Sequence, residues 1–234
     1  TYRSRFYQAV MRSHARLIYD DVADMLVNGD KVLRDKHASL LPHLEELYSL
    51  YKVLHKGRER NGAIDFETTE TRIIFCDDKK IDRVEPVYRN DAHKIIEECM
   101  LAANVAAAKL LLKKKVPALF RNHEPPPQDK IVDLRGFLSE LGIILDGGLK
   151  PSAKDYANLI NDIKDRPDAQ LIRTVMLRSM SQAVYSSENL GHFGLSFEAY
   201  AHFTSPIRRY PDLIVHRAIC HTLTAASVKS FGYS

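Results

Sequence analysis

The sequence predicts a helix-rich α+β fold with a mixed or antiparallel sheet, on three observations. Apolar residues recur every three or four positions over residues 40–60, which is the period of an amphipathic helix. A second long helix is predicted over 91–115, with Asn90 as a cap and lysines in its last turn. Residues 71–76 and 81–88 alternate on either side of a polar turn, which predicts an antiparallel hairpin. Long helices beside a small sheet are typical of the α+β class.

Local patterns along the chain predict the other strands and helices. Residues 6–11 and 63–66 are predicted as strands, and 117–121 as a short buried strand. Residues 19–26 are predicted as a short helix that Asn28 and Gly29 end. Apolar periodicity predicts further helices, which are 128–141, 153–164, 168–185 and 212–223, the last with Pro211 at its start. The proline-rich stretch near residue 125 is short, so we expect a loop within one domain.

Composition favours a folded protein of a reducing compartment. Hydrophobic residues make up 45% and charged residues 27% of the chain, as in ordinary folded domains. Cys76, Cys99 and Cys220 lie far apart without metal-binding spacing, so we expect free thiols and a cytoplasmic location. No apolar run reaches the ~18 residues that cross a bilayer, so no membrane partner is expected. The net charge of +4 permits an anionic partner without establishing one.

One short segment concentrates the groups of an anion site. Ser205 suits the N-cap of a helix that begins at Pro206. Arg208 and Arg209 would then lie near a helix start, where the dipole disfavours cations by roughly 0.3–1 kcal/mol each. Free N–H groups, hydroxyls and two guanidinium groups together indicate a phosphate site. The alternative is that both arginines form surface ion pairs with Asp212 or other nearby acids.

A polar stripe on the second long helix is another candidate surface. Four residues share one helix face, namely Asn90, His93, Glu97 and Asn104. Small amides and a histidine are unusual on a plain surface, although a solvent-facing stripe is the ordinary explanation. Glu98 and the lysines at the helix end are expected to be solvated charges.

Four segments together resemble the ribonuclease II/ribonuclease R family of exoribonucleases, and their order and spacing fit the ribonuclease R branch. The first is similar to the family signature Tyr-x-x-Phe/Trp-Thr-Ser-Pro-Ile-Arg-Arg/Lys-Tyr. The segments are Tyr200-Ala201-His202-Phe203-Thr204-Ser205-Pro206-Ile207-Arg208-Arg209-Tyr210, Arg89-Asn90-Asp91-Ala92-His93-Lys94-Ile95-Ile96-Glu97-Glu98-Cys99, Gly191-His192-Phe193-Gly194-Leu195 and His43-Leu44-Glu45-Glu46-Leu47. The resemblance extends over nearly the whole chain.

The resemblance implies that residues 1–234 are part of an RNB-type nuclease domain, whose helices and sheet line a channel for RNA. The activity implied is processive hydrolysis of single-stranded or structured RNA from the 3′ end, with Mg²⁺, to nucleoside 5′-monophosphates. The family's Asp-x-x-x-x-x-Asp-x-Asp-Asp metal motif occurs nowhere in the chain, so no metal ligand is predicted in it. We therefore expect a piece of a longer enzyme, inactive by itself. The aspartate cluster and cold-shock-like domains would precede it, and an OB-fold domain would follow.

The resemblance also assigns roles to single residues. Glu97 matches a glutamate that contacts ribose, and Tyr19 matches its partner tyrosine. A carboxylate that accepts a hydrogen bond from a 2′-OH distinguishes RNA from DNA, so DNA is not an expected substrate. Phe66 matches an aromatic residue that stacks on a base near the 3′ end. Judged without the resemblance, Tyr19 and Phe66 are equally explained as half-buried or core aromatic residues.

The arginine segment and the end of the stripe complete the predicted site. Arg208 matches the arginine that contacts the scissile phosphate, and Arg209 is expected on a neighbouring phosphate. Ser205 and Asn104 are predicted to contact the substrate. Two other functions stay open, a non-catalytic RNA-binding module and a helical interaction scaffold. The sequence gives no prediction of the oligomeric state.

Overall fold

The computed structural model describes residues 3–66 and 70–224. Its elements in chain order are α1 (Tyr19–Ala23), a π-helical turn (Asp24–Asn28), α2 (Lys31–Lys36), α3 (Leu41–Arg60), β1 (Glu70–Phe75), β2 (Ile81–Val87), α4 (Asp91–Lys114), β3 (Phe120–Asn122), α5 (Gln128–Glu140), α6 (Ala153–Asp162), α7 (Ala169–Ser179), β4 (Val184–Ser186) and α8 (Tyr210–Leu223). The described strands form two antiparallel pairs, β1 with β2 and β3 with β4. The prediction of a helix-rich α+β fold is confirmed.

The described residues divide into two compact units. The first unit comprises the described parts of Thr1–Arg12, Lys56–Asp65 and Met100–Ser234. The second unit comprises the described parts of Ser13–His55 and Phe66–Cys99.

Two of the groups of buried apolar residues in the first unit hold its helices together. One lies on α5, α6 and α7 and includes Leu134, Tyr156 and Ile172, which are almost completely shielded from solvent. The other joins the end of α4 to β3 and α8 and includes Leu111 and Val215, both fully buried. Removing such side chains from water contributes about 1.5–3 kcal/mol each. The second group therefore fixes α8 firmly, and with it the arginine segment that precedes this helix.

The second unit is built on a smaller core. Met25 of the π-helical turn and Ala92 of α4 are buried together, with leucines of α2 and α3 packed around them. The Tyr48 hydroxyl donates to an oxygen of Asp91 at 2.7 Å. This hydrogen bond, with burial and the charge of the carboxylate, raises the pKa of Tyr48 to about 12. The bond ties α3 to the first residue of α4.

Two predicted strands are absent from the described structure. Residues 6–11 form no strand, and Phe6 instead packs edge-on against Phe203 with ring centroids 5.7 Å apart. Residues 63–66 also form none, and the Ile64 N–H donates to the carbonyl oxygen of Gly194 at 2.8 Å. Both predictions were wrong, for different reasons. Tyr7, Val10 and Met11 stay exposed, whereas residues 63 and 64 are buried against a loop of the first unit.

The predictions for two helices need correction. The helix predicted over 168–185 ends at Ser179, because Val184–Ser186 pairs with β3 instead. No helix begins at Pro206, because residues 206–208 form a turn in which the Arg209 N–H donates to the Ser205 oxygen at 3.0 Å. Helix α8 begins at Tyr210, so the predicted second start beside Pro211 is confirmed.

Candidate functional site

A buried carboxylate holds the arginine segment in place. Asp212, in the first turn of α8, has none of its surface exposed. Its Oδ1 accepts a hydrogen bond from the Ser205 N–H at 2.8 Å and another from Arg209 Nη2 at 2.8 Å. An unpaired charge in a buried position would reduce the stability of the fold by several kcal/mol. The buried Asp212 carboxylate therefore requires these hydrogen bonds. Asp212 thereby fixes both the turn and the guanidinium group of Arg209.

A buried amide holds the residues just before the turn. Asn104 of α4 is 2% exposed, and its Oδ1 accepts from the N–H groups of Phe203 at 2.8 Å and Thr204 at 3.2 Å. Because Ser205 also donates its N–H to a side chain, three consecutive backbone donors are already satisfied. The N–H groups of these three residues are therefore not free to bind an anion.

The two arginines have different surroundings. Arg209 is largely buried and paired with Asp212, so the predicted surface ion pair is a buried one. Arg208 is exposed and forms no ion pair or hydrogen bond with any described side chain. Its neighbour Ile207 is fully exposed, at 102%. Arg208 is the guanidinium that remains available to a ligand.

Three buried polar atoms of this segment have no hydrogen-bond partner among the described residues. They are Thr204 Oγ1, Arg209 Nε and Asp212 Oδ2. An unmet hydrogen bond costs about 1–3 kcal/mol in a buried place. Native proteins hold few such groups, so a concentration of them in one segment calls for a partner such as water or a ligand.

The Gly191–Leu195 motif is a loop held by two histidines. Nδ1 of His123 accepts from the Gly194 N–H at 3.1 Å, and Nδ1 of His192 accepts from the Leu195 N–H at 3.3 Å. Burial lowers the pKa of both rings, that of His192 to about 3. Both rings are therefore neutral at pH 7, as acceptors at Nδ1 must be. The motif supports the fold of the loop.

Sequence reasoning did not single out Arg121 or Tyr185 and treated His202 only as a neighbour of the arginines. The Tyr185 hydroxyl lies 2.7 Å from His202 Nδ1, and the guanidinium of Arg121 lies 4.8 Å from the centre of the Tyr185 ring. Burial, followed by the charge of Arg209, lowers the pKa of His202 to about 4. These contacts join residues from β3, β4 and the segment before the turn, which no local spacing could show.

In the second unit, Tyr19 stacks on a histidine of the predicted stripe. Its ring lies parallel to that of His93, with centroids 4.0 Å apart. The Asn90 amide donates to Asp20 at 2.9 Å, so its oxygen is the group 2.8 Å from His93 Nδ1. His93 Nδ1 must then carry a proton. The hydrogen bond to Asn90 therefore fixes the His93 ring on which Tyr19 stacks. Tyr19 itself is 45% exposed.

Glu97 forms an ion pair with Arg89 and stays partly exposed. A carboxylate has about four acceptor positions, so the pair leaves capacity for a ligand hydroxyl. Glu98 behaves differently from the expectation of a solvated charge. It is 4% exposed and lies 3.3 Å from His55 Nδ1. Phe66 is half-buried in a segment without regular structure, and the structure describes no ring contact for it.

The predicted site residues therefore fall into two groups. Asn104, Ser205 and Arg209 are linked to one short segment of the first unit that also contains Arg208. Tyr19 and Glu97 lie in the second unit, where His93 connects the tyrosine to the helix of the glutamate. Direct substrate contacts by any of these residues stay predictions.

No three His, Cys, Asp or Glu side chains among residues 3–66 and 70–224 form a group that could hold a metal ion. None of the helices in this part of the chain is both long and apolar enough to cross a membrane.

The chain is similar to a known domain family and to several known proteins. Residues 1–225 match the RNB domain. The proteins named ribonuclease R from Vibrio cholerae and Escherichia coli K12 are 57% and 55% identical over 92% and 94% of this chain. The chain spans only 26% and 27% of their length, about a quarter.

Solved structures agree with the sequence matches. Mycoplasma genitalium RNase R in complex with ribose methylated single-stranded RNA has a TM-score of 0.82 at 28% identity. The same protein in complex with double-stranded RNA has a TM-score of 0.81 at 28% identity. Each match covers 92% of this chain, and 33% and 38% of the respective solved chains.

Proposed function

Because the chain belongs to the RNB-domain family and is a homologue of ribonuclease R, we propose that it is part of a processive 3′→5′ exoribonuclease. The whole protein hydrolyses single-stranded or structured RNA to nucleoside 5′-monophosphates. Residues 1–234 contribute part of its RNB catalytic domain, including a portion of the RNA channel. Mg²⁺ is its cofactor, bound by aspartates outside these residues. The free thiols of Cys76, Cys99 and Cys220 support a cytoplasmic location.

The observation that carries the proposal is the unpaired guanidinium of Arg208 beside a turn that Asp212 holds rigid. Hydrolysis of a phosphodiester develops negative charge on its non-bridging oxygens. A guanidinium that a held turn brings to that position stabilises the charge, which is the usual source of large rate effects. Arg209 helps to hold this turn through its buried ion pair with Asp212. In the proposal, it also raises the positive potential felt by a neighbouring phosphate.

The second unit supplies the preference for ribose. Glu97 accepts a hydrogen bond from a 2′-OH, while Arg89 orients the carboxylate. The Tyr19 ring stacks on the His93 ring. In the proposal, the Tyr19 hydroxyl contacts the same nucleotide. Phe66 stacks on a base, which adds about 1–3 kcal/mol without regard to sequence.

The direct test compares the whole protein with the 234-residue chain. Each is incubated with 5′-labelled single-stranded RNA and Mg²⁺, and products are separated by length. The whole protein should shorten the strand stepwise from its 3′ end and release nucleoside 5′-monophosphates. The 234 residues alone should leave it intact, because they lack the aspartate motif.

Two outcomes would contradict this proposal. Metal-dependent shortening by the folded 234-residue chain, checked by circular dichroism, would mean that it contains an acidic cluster of its own. Tight RNA binding by the whole protein without any shortening would favour the non-catalytic RNA-binding module.

The double substitution Glu97→Ala with Tyr19→Ala, in the whole protein, is expected to reduce discrimination between RNA and DNA. A hydrogen bond to a charged group contributes about 1.5–3 kcal/mol, so the preference should fall roughly ten- to a hundredfold. The measurement compares kcat/KM on matched oligonucleotides with ribose or deoxyribose nearest the 3′ end. Glu46→Ala, at an exposed glutamate of α3, is the matched control. Equal losses on both substrates would show that the stripe only supports the fold.

A further inference from the structure

Arg121, Tyr185 and His202 form a polar cluster in the first unit that the proposed function leaves unused. Arg121 of β3 lies directly opposite Tyr185 of β4 in the antiparallel pair. The Arg121 N–H also donates to the Tyr200 carbonyl oxygen at 2.8 Å, which joins the pair to the segment that contains His202. Backbone hydrogen bonds on two sides therefore fix the place of each member.

The side chains of the cluster are ordered by one another. The guanidinium of Arg121 lies over the Tyr185 ring, and the Tyr185 hydroxyl is 2.7 Å from His202 Nδ1. Stacking on an aromatic ring fixes the orientation of the planar guanidinium group. Its N–H donors at the edge stay available for hydrogen bonds. Tyr185 is 38% exposed, so the cluster reaches the surface of the unit.

The cluster lies in a region of uncompensated positive charge. Arg121 and Arg208 form no ion pair with any described carboxylate, and Asp212 neutralises one charge at most. The charges of Arg209, Arg121 and Arg208 all act, after burial, to lower the pKa of His202, and Asp212 opposes them. The charges of three arginines and one carboxylate therefore act on a neutral imidazole. The excess of positive charge favours an anion.

We propose that Arg121, Tyr185 and His202 bind a second phosphodiester group of the RNA strand, beside the one that Arg208 contacts. This inference rests on the proposed function. In this proposal the Tyr185 hydroxyl is the donor to Nδ1 of His202, so the neutral ring carries its proton on Nε2 and offers it to a phosphate oxygen. Arg121 supplies two parallel N–H donors to the same group. The contact is to the backbone, so it is independent of base sequence.

The salt dependence of RNA binding tests the inference. The whole protein is titrated with single-stranded RNA in EDTA at several salt concentrations, and log Kd is plotted against log salt. One phosphate contact to a single strand contributes about 0.7 to the slope, so Arg121→Gln should reduce it by about 0.7. It should also weaken binding about tenfold at low salt. Arg121→Lys keeps the charge and should keep the slope.

Matched variants separate this role from a structural one. Arg178→Gln removes an exposed arginine from the last turn of α7 and should leave the slope nearly unchanged. Tyr185→Phe keeps the ring but removes the hydroxyl, and should weaken binding severalfold without altering the slope. This isosteric variant decides the question if Arg121→Gln lowers the melting temperature.

Other outcomes would overturn the inference. A wild-type slope for Arg121→Gln, in a protein that still shortens RNA, refutes the second phosphate contact and leaves the proposed function standing. If the variant changes only inhibition by added nucleoside 5′-monophosphates, the cluster holds released product instead of the strand. A whole protein that neither binds nor shortens RNA defeats the proposed function, and the inference with it.

Discussion

Replacing Arg208 with Ala in the whole protein should lower kcat for RNA by about 10²–10³, equivalent to roughly 3–4 kcal/mol. The Kd for RNA should change only severalfold, because many other contacts hold the strand. The difference follows from the place of Arg208, which is exposed, unpaired and carried on a turn that Asp212 fixes. We propose that it contributes mainly where charge develops in the transition state.

The measurement separates chemistry from binding. Single-turnover rates with saturating enzyme give the chemical step, and titration in EDTA gives Kd. Arg178→Ala provides a control for the removal of an exposed arginine in the same unit. If Arg208→Ala kept the wild-type kcat and weakened only the affinity, Arg208 would belong to the wall of the channel and not to the reacting centre.

Removing the buried carboxylate should have the largest effect on stability. Asp212→Ala leaves Arg209 largely buried without its partner and the Ser205 N–H without an acceptor. Breaking a buried ion pair by removing one partner costs about 3–5 kcal/mol. We expect a lower melting temperature of the whole protein and faster amide hydrogen exchange in residues 203–216. Activity should fall with it, since the turn loses its tether.

A double-mutant cycle distinguishes pairing from packing. Asp212→Asn and Arg209→Met each remove one charge, and the double variant removes both. Since an unpaired buried charge is the main cost, the double variant should be less destabilised than the two single losses added together. Additive losses would mean that the two side chains contribute independently, and that the ion pair does not hold the turn.

The parts of the fold that follow from local pattern were predictable from the sequence. The period of apolar residues located α3 and α4, and the alternation around a polar turn located the hairpin of β1 and β2. Residues 6–11 and 63–66 show the limit of this reasoning. Short apolar runs have no period that separates a strand from a loop. Residues 63 and 64 are buried in a loop, whereas most of residues 6–11 stay exposed.

The candidate site was predictable in its residues but not in their arrangement. Local rules placed Pro206 at a helix start, but the bond from Ser205 to Asp212 holds a turn there instead. Local sequence rules do not distinguish Arg208 from Arg209. In the structure, Arg209 is largely buried and pairs with Asp212, whereas Arg208 is exposed and unpaired among the described side chains. The Arg121 cluster needed the strand pairing of β3 with β4 before it could be recognised.

The long-range hydrogen bonds of Asn104 carry a consequence for how such chains vary in length. Asn104 and Phe203 are bonded although 99 positions separate them. The entropy of closing a loop grows only with the logarithm of its length, and each doubling costs about 0.6 kcal/mol. Insertions at an exposed turn such as residues 148–150 should therefore be cheap. Proteins with this arrangement can lengthen or shorten the intervening chain and still keep the arginine turn in the same geometry.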